Sequence, residues 1–217
     1  MPANERSRTI PVHGEAAKVR AYQEADRKDL YRICLLTADN GKDATSKFRD
    51  PRLPGHVWVG PYLAFQPFLA FVTEDGSSVA GYVVAALDSP AFEDRLERDW
   101  WPAMRSSYPE LRQDSTEVVS TTERYALNDI HHPGVTASEL AECFPSHLHI
   151  DLLPRIQGRG LGRQLMATAI SGLRDRGSRG LHLLVGRGND RAAGFYRHLG
   201  FSEFPHSYLR VFTMDLS

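Results

Sequence analysis

Leu152-Leu153-Pro154-Arg155-Ile156-Gln157-Gly158-Arg159-Gly160-Leu161-Gly162 runs from an apolar stretch through a proline into a glycine-rich turn. Beyond it, Leu161, Leu165, Ala169 and Leu173 recur every four positions, as on an apolar helix face, and Gly177 stands where such a helix would stop. The stretch reads as strand, tight turn and helix. Such a turn can aim several backbone N–H groups at one point, and the start of the helix adds favourable potential for an anion. Glycine suits the turn because a Cβ would hold a phosphate away from the backbone. Arg159 and Arg163 can add charge-assisted contacts.

Working outward, residues 147–153 form the strand that enters the turn. Residues 68–73 and 79–87 are apolar and rich in β formers, and Glu74-Asp75-Gly76-Ser77-Ser78 between them is a hairpin signal. Downstream lie a short buried-type strand at 181–185, a helix at 190–199 closed by Gly200, and a last strand at 208–214. Upstream, 18–23 is extended. Asp26 is placed to cap a helix that carries Leu30, Ile33, Cys34 and Thr37 on one face, stopped by Asn40-Gly41. Residues 42–54 read as loop and 55–66 as a helix. Strands paired first by a hairpin and then separated by helices predict an α/β fold, with a mixed central β-sheet flanked by helices.

Residues 88–145 interrupt this order between the third and fourth strands. A structureless segment of that length is unusual in a compact domain, so helices are expected, at least over 92–107 and 137–143. The segment serves either as a stabilising helical subdomain or as a wall over a cleft. Residues 1–15 read as a flexible N-terminal arm and 16–217 as a single domain.

The chain has 26 Lys and Arg against 27 Asp and Glu, a net charge of −1, which advertises no nucleic-acid partner. No apolar run approaches a membrane span. Two cysteines, Cys34 and Cys143, stand in no paired motif and read as packing thiols. With no signal-peptide pattern at the N-terminus, the expectation is a cytoplasmic protein without membrane contact.

Three phosphate-binding patterns compete for the glycine turn. A dinucleotide fingerprint needs a third glycine where Arg163 stands, and a Walker loop needs a Gly-Lys-Ser/Thr ending that is absent. The pattern Q/R-x-x-G-x-G/A fits Gln157, Gly160 and Gly162. It resembles the pyrophosphate loop of the GNAT acetyltransferase superfamily. Asn189, followed by Phe195-Tyr196 and Gly200-Phe201, resembles that family's second signature. Val19-Arg20-Ala21-Tyr22 followed by Asp26 resembles its opening strand and helix. Tyr31-Arg32-Ile33-Cys34, Glu74-Asp75-Gly76 with Ala80-Gly81-Tyr82, 144–151, Ser178-Arg179-Gly180 and Phe195-Tyr196 are similar to the acetyltransferase-like C-terminal domain of O-GlcNAcases. That second likeness covers most of the chain from Val19 onward.

The resemblance implies a GNAT fold and direct transfer of acetyl from acetyl-CoA to an amine borne by a small molecule or a protein, with no metal, in a monomer or homodimer. It implies coenzyme contacts from Leu152, Leu153, Gln157, Gly158, Arg159, Gly160, Leu161, Gly162, Arg163, Asn189 and Tyr196. It also implies a backbone N–H near 150–153 that polarises the thioester carbonyl, and Tyr196 as the acid that protonates the departing thiolate. Tyr196 also suits a core aromatic, Asn189 a helix cap, and Phe195 plain packing.

His147, His149 and Asp151 alternate along the strand, so a regular strand puts them on one face, with Leu148, Ile150 and Leu152 on the other. A bulge here, frequent in the family, would break that alternation. Asp151 and His149 compete as the base for the acceptor amine: position favours Asp151, intrinsic pKa favours His149. If neither is the base, His131 and His132 in the insertion are the next choices. The H-x-H-x-D pattern also admits a metal-dependent hydrolase. A non-catalytic acetyl-CoA-binding module is the second alternative.

Overall fold

The computed structural model describes residues 18–76, 78–111, 118–205 and 210–217. The expected arm at 1–15 lies outside them, as does Tyr208 of the expected last strand. Seven strands form one sheet: β1 (Val19–Ala21), β2 (Ala70–Glu74), β3 (Val79–Ala86), β4 (Ser146–Leu152), β5 (Gly180–Val185), β6 (Ser202–Phe204) and β7 (Arg210–Asp215). Their order is β1-β2-β3-β4-β5-β7-β6, antiparallel throughout except between β4 and β5. The helices are α1 (Arg27–Leu35), α2 (Leu53–Trp58), α3 (Gly60–Phe65), α4 (Ser89–Asp99), α5 (Trp101–Ser107), α6 (Thr121–His131), α7 (Ser138–Cys143), α8 (Leu161–Arg174) and α9 (Asp190–His198).

Each sheet face carries its own core. On one, Tyr82, Val84 and Ala86 of β3 pack with Leu30 and Ile33 of α1, Leu63 of α3, Phe92 of α4, Trp101 of α5 and Ile130 of α6. On the other, Val83, Ala85 and Leu148 meet Leu165, Ala169 and Leu173 of α8, Tyr196 of α9 and Phe212 of β7. Every residue of β3 is buried, as befits a central strand covered on both faces. The insertion is therefore part of the first core, and α4 and α7 fall where helices were expected.

Several expectations need correction. Asp26 does not cap α1 with its side chain. It accepts from Arg20 at 2.7 and 2.8 Å and from the Gln23 N–H at 2.8 Å, tying β1 to the chain entering α1. Thr37 lies beyond α1, which ends at Leu35. The expected helix at 55–66 is two short helices, broken at Val59, with Pro61 removing an early N–H of α3. Both helices press on α1: a Cβ at Gly55 would come within 2.2 Å of the Tyr31 ring, and one at Gly60 within 2.4 Å of its hydroxyl. Strand β6 and helix α6 were not expected from the pattern. Cys34 is buried, whereas Cys143 is exposed and packs nothing away.

Candidate active site

Strand β4 runs in unbroken register with β3, from Ala86↔His147 to Gly81↔Leu152. No bulge interrupts this pairing; the register shift of β3 lies against β2, between Thr73 and Glu74. The alternation therefore holds, and His147, His149 and Asp151 share the face of Tyr82 and Val84, over which α1, α3 and α4 pack.

Strands β4 and β5 pair only at Ser146↔Leu181 and His147↔His182, and beyond that point they part. The Leu153 N–H donates to Ala80 O at 2.9 Å, which fixes the phase of the β3–β4 ladder. Antiparallel ladders bond every second pair, so Asp151 and His149 turn their backbone groups to β3. Ile150 and Leu152 turn theirs towards β5, where the ladder has ended. The expected N–H donor within 150–153 thus narrows to Ile150 or Leu152. Leu153 is excluded by its bond to β3 and sits buried in the first core.

The glycine turn begins where β4 ends. Gln157 does not face outward: its Nε2 donates to Leu152 O at 2.6 Å, clasping the turn to the strand. Gly158 and Gly160 hold φ of 76° and 79°, the left-handed region that suits glycine, and a Cβ at either would meet nothing within 4 Å. Gly160 is the N-cap of α8, so the N–H groups of Leu161, Gly162 and Arg163 have no carbonyl within the helix. The result is an open, amide-lined cradle at the positive end of a 14-residue helix. Gly162 has another role: a Cβ there would come within 3.2 Å of the Phe195 ring, so it sets the approach of α8 to α9. Arg163 contacts His198 of α9 at 2.7 Å. Arg155, not singled out from the pattern, binds Asp75 and, at 3.1 Å, Ser78 Oγ, anchoring the turn to the β2–β3 hairpin. A coenzyme pyrophosphate fits this cradle, with Gly158, Arg159, Gly160, Leu161, Gly162 and Arg163 as the residues that would hold it.

Asn189 caps α9, its Oδ1 accepting from the Ala192 N–H at 3.0 Å; its side-chain NH2 remains a donor. Tyr196 is buried between Phe195, Phe201 and Phe212. Its hydroxyl hydrogen-bonds no other group among the described residues. Burial, and then the charge of Asp151, raise its phenol above the ordinary range, so it carries its proton at neutral pH.

Asp151 accepts from the Tyr82 hydroxyl at 2.6 Å. Burial pushes its carboxyl up to about 6, against the opposing hydrogen bond of Tyr82. Burial takes His149 the other way, down to about 4. Tertiary structure has thereby reversed the intrinsic order, and Asp151 is the stronger base. Cys34 faces the same group, and burial followed by the Asp151 charge holds its thiol well above the usual range, so it is no nucleophile. Tyr82, Thr37 and Cys34 as surroundings of Asp151 escaped the sequence reading. The one signal that could have found them is that stretches 31–34, 80–82 and 144–151 of the closer resemblance converge here.

The metal reading loses its first ligand. His147 is engaged at both ring nitrogens, by Tyr62 Oη at 2.7 Å and Ser89 Oγ at 2.6 Å. Among the described residues, no three His, Cys, Asp or Glu side chains are grouped to hold a metal ion. His131 binds Tyr108 O and His132 binds Glu110, so both are taken up within the insertion.

Residues 35–201 match the model of the acetyltransferase (GNAT) family. The chain belongs to the GNAT acetyltransferase family. The GNAT fold is matched by the crystal structure of SsHAT, with a TM-score of 0.85 and 33% sequence identity over 94% of this chain and 100% of that one. Protein O-GlcNAcase of Rattus norvegicus is 27% identical over 185 residues, 85% of this chain but 20% of that protein, and its Mus musculus counterpart matches equally. The chain thus spans about a fifth of the curated relatives it matches. The structure of yncA from Salmonella typhimurium with its cofactor acetyl-CoA shares the fold at a TM-score of 0.55 and 14% identity over 94% of this chain and 95% of that one. Membership of the GNAT family supports acetyl transfer as the general activity.

Proposed function

We propose that this GNAT protein is an N-acetyltransferase that moves acetyl from acetyl-CoA directly to an amine on a small molecule or a protein. The observation that carries the reading is the opening between β4 and β5, with the amide cradle of Gly158–Arg163 at one end and Asp151 on the adjoining strand face. When bound, acetyl-CoA supplies an activated acetyl thioester. Leu152 and Ile150 offer N–H groups that no strand claims, placed to stabilise charge developing on a carbonyl oxygen. Asp151, with a pKa of about 6, is ionised at neutral pH and basic enough to take the proton of an attacking amine, directly or through one water. Tyr196 holds its proton and can give it to a leaving thiolate. Asn189 can donate its side-chain NH2 to the coenzyme arm.

Calorimetry with acetyl-CoA, together with thiol release across a panel of amines, tests the reading. Micromolar coenzyme binding and amine-dependent thiol release are expected. Binding without thiol release on any amine would make the chain a non-catalytic acetyl-CoA module. No coenzyme binding at all would sink both.

A further inference from the structure

Two histidines share a strand face with Asp151, and the reaction as proposed uses neither. Their hydrogen bonds assign them different tasks. Ser89 Oγ lies 2.7 Å from Pro145 O and 2.6 Å from His147 Nδ1. A carbonyl oxygen only accepts, so the single serine proton goes to Pro145. The contact with Nδ1 must then be donated by the imidazole N–H. That leaves Nε2 bare, and the Tyr62 hydroxyl, 2.7 Å away, donates to it. The chain runs one way, Tyr62 to His147 to Ser89 to Pro145, and stops at a carbonyl. It carries no proton out of the site. It locks a tautomer and, with Phe92 tilted against Tyr62 at 4.8 Å, holds the Tyr62 ring.

Tyr62 in turn packs edge-on against the imidazole of His149, with centroids 5.5 Å apart. His149 makes no hydrogen bond to any described residue. Thr73 Oγ1 is the only side-chain polar atom among them that is both sealed from solvent and unpartnered, so the free nitrogens of half-buried His149 are not fully sealed off. A braced ring thus presents one N–H donor and one lone pair beside the base.

We propose that His149 is the acceptor-recognition residue of this site, binding a neutral hydroxyl or amide oxygen of the amine substrate, with Tyr62, His147 and Ser89 as positioning residues behind it. This rests on the reading of the cleft as the amine site. A neutral partner follows from the chemistry, because an uncharged imidazole cannot offset the cost of burying a carboxylate or a second ammonium. The spacing follows from the strand: positions i and i+2 on one face lie about 6–7 Å apart, so the oxygen sits several bonds from the amine. An amino alcohol or amino amide is favoured over a plain alkylamine.

The experiment uses the whole chain, ring-15N-labelled histidine, and two isosteric probes, 4-amino-1-butanol and pentylamine. NMR should show His147 as the Nδ1–H tautomer and His149 neutral at pH 6. With coenzyme A present, 4-amino-1-butanol should shift the His149 signals and pentylamine should not. In thiol-release assays, His149→Phe, which keeps a ring but removes both nitrogens, should raise KM for the amino alcohol roughly 5- to 10-fold relative to that for pentylamine, the scale of one hydrogen bond. Tyr62→Phe should raise the same KM and shift the His147 Nε2 resonance, which a merely structural aromatic would leave in place. Equal response of His149 to both probes, or an unchanged KM ratio in His149→Phe, overturns the proposal while leaving acetyl transfer standing. Absence of thiol release in the parent protein refutes the transferase reading instead, and the NMR titration still decides recognition.

Discussion

The hydroxyl of Tyr82 donates to Asp151 Oδ2 at 2.6 Å across the β3–β4 pair, between residues 69 positions apart in the chain. Cys34 and Thr37, from the end of α1 and just beyond it, face the same carboxylate, and the charge of Asp151 is felt at Tyr196 on α9. A single carboxyl group thus faces groups from three separate elements, β3, α1 and α9, and from the loop after α1.

Replacing Asp151 by Asn should stop amine-dependent turnover and stabilise the protein. The folded pKa of about 6 lies above the unfolded value near 3.8, so ionising this half-buried group costs stability above pH 6, and the cost vanishes as pH falls towards 3.8. The cost is about 3 kcal/mol at pH 8, and its removal should raise Tm by several degrees. Thermal melts at pH 8 and pH 5 check this. The gain at pH 8 should shrink at pH 5, and equal melting temperatures at pH 8 would refute the raised pKa.

Tyr82→Phe removes the donor that favours the ionised carboxylate. The acidic limb of kcat/KM, expected near pH 6, should move up by about 1 unit, the worth of one hydrogen bond to a charged group. Coenzyme affinity should stay as it was. An unmoved limb would mean that Asp151 is not the titrating base.

Tyr196→Phe keeps the ring between Phe195, Phe201 and Phe212 and deletes a hydroxyl with no hydrogen-bond partner among the described residues. Stability and acetyl-CoA affinity should hold, while turnover falls by roughly one to three orders of magnitude, the scale for losing a positioned acid. Normal turnover in single-turnover kinetics would make Tyr196 a core aromatic only.

Two glycines of the turn should fail differently. Gly160→Val places a branched side chain at φ 79° and above the amide cradle, so calorimetry should show acetyl-CoA binding lost, with about 1–2 kcal/mol of backbone strain. Gly162→Leu drives into Phe195 instead, and the first loss should be thermal stability through the α8–α9 contact. If Gly160→Val binds the coenzyme normally, the pyrophosphate lies elsewhere.

His149→Gln should make the protein less acid-sensitive. The folded pKa of about 4 lies below the unfolded 6.5, so the unfolded chain binds the extra proton in between, and stability drains away as pH falls from 6.5 to 4. Relative to the variant, the parent should lose about 2 kcal/mol between pH 7 and pH 5 in urea unfolding. Parallel stability curves would show that the imidazole charges freely in the fold.

Local chemistry was enough to read the strand–turn–helix at 152–174. The glycines demand their conformations, the apolar residues repeat at helical spacing, and neither depends on distant partners. The hairpin at 74–78, the helical character of 88–145 and the shared face of His147, His149 and Asp151 were legible for the same reason. What the sequence could not determine is anything set by burial or by contacts between distant segments. Asp26 reads as a cap until Arg20 claims it. Residues 55–66 read as one helix until Tyr31 crowds Gly55 and Gly60. The three-residue strand β6 has too few residues to show a period. Above all, the choice between Asp151 and His149 was open, because intrinsic pKa values favour the histidine. Only the tertiary structure, by desolvating both groups, raises the carboxyl to about 6 even against the Tyr82 hydrogen bond, lowers the imidazole to about 4 and so exchanges their order.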